Sequence, residues 1–146
     1  MSGVLNYKDV SQLHRAYQEL KVEGRSVHDV VTKLPVHIQE KVFSYGTRYS
    51  SEPSAVAQVK LSIRDVANEI YDRESANTRA KMHGVFYRCC GVSHTGDPKW
   101  GENHIKDENR VENFLLSLEL VSLERELQSW AENDPNRGEA AEGIMY

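Results

Sequence analysis

At 146 residues and 39% apolar content, the chain has the size of one ordinary domain and enough hydrophobic mass to bury a core without disulfide or metal staples. Its apolar runs are short and broken by charge, and its N-terminus lacks a basic stretch followed by a greasy one, so neither a membrane span nor a secretory leader is expected. Two adjacent cysteines make no disulfide framework, and a soluble, cytoplasmic protein with reduced thiols is the expectation. The formal charge of −4 hides a separation: residues 21–64 carry seven Lys/Arg against four Asp/Glu, whereas residues 101–146 carry four against eleven. A basic middle and an acidic C-terminal part can attract each other within a chain or between chains, and the acidic surplus discourages indiscriminate binding to nucleic acid.

The pattern predicts an all-α, compact bundle of about five helices with no strand, a single domain over residues 1–132, and a flexible acidic tail over 133–146. Asn6 is placed to cap a first helix whose apolar residues Val10, Leu13, Tyr17 and Leu20 step by three and four, and Gly24 stops it. Ser26 and Asp29 open a short helix carrying Val27, Val30, Val31 and Leu34. Pro35 then ends that helix and suits the start of the next, which carries Val36, Ile38, Val42, Phe43 and Tyr45 up to Gly46. Ser51-Glu52-Pro53-Ser54 reads as a helix start with proline in the first turn, followed by the seam Val56, Val59, Ile63, Val66 and Ile70. Neither Gly nor Pro interrupts residues 72–81, so this helix either runs on to Tyr87 or breaks near Ser75. Gly91, Gly96, Pro98 and Gly101 mark a loop that joins the two long helices, with Trp100 expected to pin it.

The last helix carries two apolar stripes. Val111, Phe114, Leu115, Leu118 and Val121 share one side; Leu116, Leu120, Leu123, Leu127 and Trp130 share the other, because successive residues turn by about 100°. The second stripe steps by four, three, four and three, the spacing of a coiled-coil seam, and is expected to meet another chain, with a homodimer the simplest form.

Three patterns bear on chemistry. Cys89, Cys90, His94 and His104 gather thiols and imidazoles that could hold a structural zinc ion or activate a nucleophilic cysteine, although adjacent cysteines converge poorly on one metal and no nucleophile elbow frames them. His83 could stand in for one cysteine. The carboxylate pairs Glu69/Asp72 and Glu108/Glu112 have spacings that could bind magnesium, but Arg73 and Arg110 lie beside them to neutralise the charge. No phosphate loop, catalytic triad order or HExxH motif is present.

The stretch Ser26–Tyr45 resembles a helix-turn-helix: a short capped helix, the junction Leu34-Pro35-Val36, and a second amphipathic helix. That resemblance spans about twenty residues, and it implies DNA contact through His37, Gln39, Lys41 and Arg48. Val31 stands where the motif prefers a small residue, Pro35 replaces the turn glycine, and Val42 falls one place late. The expectation that follows is a small non-catalytic regulatory or inhibitory protein acting through protein–protein contact, in the style of phage and mobile-element accessory proteins that bind a host macromolecule. A DNA-binding regulator is the alternative, and a metal- or thiol-dependent enzyme comes third. No cofactor is required beyond the possible zinc.

Overall fold

The computed structural model describes residues 6–90 and 108–133. Among them it forms six α-helices and one 3-10 turn, with no strand: α1 (Tyr7–Leu20), α2 (Val27–Thr32), α3 (Val36–Gly46), the turn Thr47–Tyr49, α4 (Ala55–Asp72), α5 (Ala76–Cys90) and α6 (Glu108–Asn133). The protein is thus an all-α bundle. The loop expected over residues 91–104 and the tail expected beyond Asn133 lie outside the described residues.

Local chemistry sets the helix ends. The Asn6 side chain accepts the Asp9 amide at 3.2 Å to start α1, and Ser26 does the same for Asp29 at 3.3 Å to start α2. Gly24 sits between them at φ +85°, a left-handed conformation that any side chain would strain. At α4 the cap is Ser54, whose hydroxyl accepts the Ala57 amide, so Pro53 precedes the helix instead of occupying its first turn. The long helix does break near Ser75: Ser75 Oγ accepts the Thr78 amide at 3.2 Å and begins a separate α5. That break makes six helices of the expected five, because a cap ends one helix and starts another without needing Gly or Pro.

The core draws one stripe from each long helix. Val10, Leu13 and Tyr17 of α1, Ile63, Val66 and Ile70 of α4, Met82 and Phe86 of α5, and Phe114, Leu115 and Leu118 of α6 are buried together. Aromatic edges knit the centre, with Phe86 and Phe114 centroids 6.0 Å apart and Tyr71 and Phe114 5.7 Å apart. α6 packs chiefly on α5 and α1, and α3 packs on α4. In α3 the inward stripe is Ile38 and Val42, continuing Leu34, whereas Val36 and Phe43 are 69% and 62% exposed. These two lie across the helix from the 34/38/42 row, and apolar content alone does not say which side is covered. No helix of the described residues is long and apolar enough to cross a membrane.

Candidate interaction face on the last helix

The two stripes of α6 meet opposite fates. Val111, Phe114, Leu115, Leu118 and Val121 are buried against the bundle. On the other side Leu116 and Leu123 are half-buried, while Leu120, Leu127 and Trp130 are 42%, 49% and 64% exposed. A helix of 26 residues is about 39 Å long, and burial fails along its last turns: every residue from Leu123 to Glu132 is at least partly open. Leu120, Leu123, Leu127 and Ala131 together line a shallow apolar depression edged by Glu124 and Gln128. Its upper end continues into the groove between α5 and α6, where Leu120 meets Val85, Arg88 and the half-buried Cys89.

Neighbouring helices fix the orientation of α6. On one flank α1 runs antiparallel to it, placing His14 Nδ1 2.6 Å from Glu119 Oε1 and joining the Lys21 ammonium to Glu112. On the other flank Lys81 of α5 donates to Glu124 at 2.7 Å. Arg125 reaches back to donate to Glu74 and Thr78, each at 3.1 Å. The Glu74 carboxylate is almost wholly buried, so the Arg125 contact supplies its countercharge at the α4–α5 junction. These ties leave the free stripe framed by glutamates: Glu112, Glu119 and Glu126 at seven-residue intervals along the α1 side, and Glu124 on the α5 side.

Comparison with protein families, with curated proteins and with solved structures finds no match for this chain. Its own geometry is therefore the guide to the remaining sites.

The residues expected to contact DNA are engaged within the chain. His37 Nε2 lies 2.8 Å from Asp9 Oδ2, and Gln39 donates to the carbonyls of Thr32 and Leu34, bracing the α2–α3 junction. Lys41 donates to Glu69, and Arg48 stacks 4.7 Å over the Tyr45 ring while approaching Asp65 at 3.7 Å. Two rungs result between α3, the following turn and α4. In one, Tyr45 donates to Glu69 at 2.8 Å beside Lys41 and Arg73; in the other, Tyr49 donates to Asp65, which also holds the buried Arg64 at 2.8 Å. Burial and then these carboxylate bonds push both phenols up from 10 to about 12. Burial acts to raise the Glu69 carboxyl, but the Lys41 and Tyr45 hydrogen bonds and the Lys41 and Arg73 charges outweigh it and hold the group below its ordinary value.

Sequence reading missed these rungs, although Tyr45/Tyr49 and Asp65/Glu69 are each four apart and so share a helix face. The proposed magnesium pairs are also drawn off, Glu69 by Lys41 and Tyr45, and Glu112 by Lys21. The basic middle of the chain thus spends Lys21, Lys33, Lys41, Arg48 and Arg64 on internal carboxylates.

Of the thiol–imidazole cluster, Cys89 sits on the last turn of α5 and Cys90 ends that helix, while His94 and His104 lie outside the described residues. His83 packs on Tyr87, one turn further along α5, with ring centroids 5.1 Å apart. Among the described residues no three His, Cys, Asp or Glu side chains converge as a metal-binding group.

Proposed function

We propose that this protein is a non-catalytic regulatory or inhibitory protein that works by docking a helix of another chain along the free face of α6. One observation carries the reading: Leu120, Leu127 and Trp130 stand exposed on a coiled-coil spacing, on a helix whose opposite face is buried in the core from Val111 to Ser122. A protein that leaves such a stripe in water forgoes the burial of several large side chains, and stripes of this kind mark interaction surfaces. The rigid support beneath it suits recognition, since the α1 contacts of Glu119 and Glu112 and the aromatic core hold the helix in place before a partner arrives.

The DNA-binding alternative has less support, because His37, Gln39, Lys41 and Arg48 each already hold a partner within the chain. The second apolar surface, Val36 and Phe43 on α3, is only two residues wide. The test is site-specific crosslinking in the native host, with a photoreactive residue at position 127 and a control at position 43. Adducts to a protein at 127 that vanish in a Leu120→Ser background are expected. No adduct at 127, or equal yields at both positions, would refute the proposal.

A further inference from the structure

The free face carries information about its occupant as well as its existence. With Leu120 and Leu127 taken as the a positions of a heptad and Leu116, Leu123 and Trp130 as d, the flanking g positions are Glu112, Glu119 and Glu126, and the first e position beyond Leu123 is Glu124. Side chains at e and g meet the partner helix across the seam and set which partner is accepted. A second copy of this chain would meet its own acids. A parallel pairing sets Glu119 of one copy against Glu124 of the other, and an antiparallel pairing sets glutamate flank against glutamate flank.

The local charge is met only in part from within: Lys21 and His14 of α1 hold Glu112 and Glu119 at the N-terminal part of the flank, while Glu126 lies beyond both. Along α6 from 108 to 133 there are six glutamates and two arginines, and both arginines are turned to other work: Arg110 lies 5.2 Å over the Phe86 ring and Arg125 holds Glu74. Glu124 does pair with Lys81, but both side chains are about half exposed, so water screens that pair and a partner can exchange it cheaply. From Glu126 to Asn133 the helix bears Glu126 and Glu132 and no basic residue. On the α5 edge Arg88 lies beside Leu120 and Lys81 beside Glu124.

We infer that the occupant of the α6 face is an amphipathic helix of a different protein, flanked by lysine or arginine, and not a second copy of this chain. This rests on the docking proposed above, and it adds the chemistry of the partner: an apolar a/d seam for Leu116 to Trp130, with basic e/g positions that meet the half-exposed Glu124 and, further along, Glu126. The pairing is selective because the same acids that attract a basic helix repel self-association and acidic helices.

The experiment uses the full-length protein and two synthetic helical peptides of four heptads with the same leucine seam, one with lysine at every e and g position and one with glutamate. Binding is followed by calorimetry at two salt concentrations, and the mass of the protein alone by sedimentation. A monomer that binds the lysine peptide at least roughly a hundredfold tighter than the glutamate peptide, loses affinity in high salt, and loses it again on Leu120→Ser/Leu127→Ser, which leaves the charge unchanged, is the expected result. Substituting Glu124 and Glu126 by Gln should weaken the lysine peptide alone, by about tenfold or more. Equal binding of both peptides, sensitive to the serine variant, would overturn the charge inference and leave the docking face standing. A dimer that the serine variant dissociates, with neither peptide bound, would replace the basic partner by a second copy. Binding of the lysine peptide that ignores the serine substitutions would reduce the effect to bulk charge attraction and overturn both readings.

Discussion

Replacing Leu118 and Leu127 by alanine, one at a time, compares the two faces of α6 directly. Leu118 is fully buried among the core residues, so Leu118→Ala removes its transfer energy and opens a cavity that the aromatic packing around Phe86 and Phe114 fills poorly. A loss of about 3 kcal/mol is expected from the range for such sites. Leu127 keeps 49% of its surface in water, and its remaining cover comes from its own helix and the shallow depression around Leu123 and Ala131. Leu127→Ala should therefore cost about 0.5 kcal/mol or less, partly offset by the better helix propensity of alanine. In a domain of this size the first change lowers the melting temperature by roughly 10 °C and the second by about 1–2 °C. Circular dichroism melts at two protein concentrations measure both. Comparable losses at the two positions, independent of concentration, would mean that the second stripe is covered inside the protomer and would remove the basis for an interaction face.

Other sites give separate expectations. The Tyr45 and Tyr49 phenols, pushed up to about 12 from 10, hold their protons more tightly in the folded chain, so stability is fully present below pH 10 and falls as pH rises toward 12. Each shift taken at face value is worth ~2.7 kcal/mol, which solvent at these half-buried rings reduces to about 1 kcal/mol. Tyr49→Phe should flatten that alkaline loss in urea titrations, and an unchanged slope would dismiss the Asp65 rung as its source. Glu69 has the opposite sign: its lowered pKa adds stability above its unfolded value near 4.5, lost as pH falls through the folded value, and Glu69→Gln should lessen that acid loss. Arg125→Ala strands the buried Glu74 carboxylate and should cost about 3 kcal/mol, more than Glu74→Gln, which removes the charge itself; the reverse order in urea denaturation would contradict the pairing. Gly24→Ala places a side chain at φ +85° with nothing within 4 Å to clash, so only backbone strain of about 1 kcal/mol is expected, and a larger loss would point to an unseen contact.

Much of the fold was legible because local chemistry decides it. Asn6 and Ser26 cap as their side chains dictate, Gly24 turns the chain, and the two-sided last helix follows from counting apolar residues around α6. The break at Ser75 stayed open to reading, since a serine cap competes with helix propagation on nearly equal terms where no Gly or Pro intervenes. The exposure of Val36 and Phe43 was not legible, because periodicity shows which residues share a face and not whether that face meets protein or water. The glutamate frame of α6 was visible only as an acidic surplus. Its orientation depends on His14 and Lys21 of α1, which precede Glu119 and Glu112 by 105 and 91 positions, a separation that no local pattern spans. The internal consumption of Lys41 and Arg48 was hidden for the same reason: their carboxylates sit on a different helix.

Hydrogen–deuterium exchange along α6, with and without the lysine-flanked helical peptide, tests the proposed role most directly. The exposed last turns should exchange readily in the free protein, and binding should protect amides from Leu116 to Ala131 while leaving α3 unchanged. Protection centred on α3, or none along α6 at saturating peptide, would contradict the docking face.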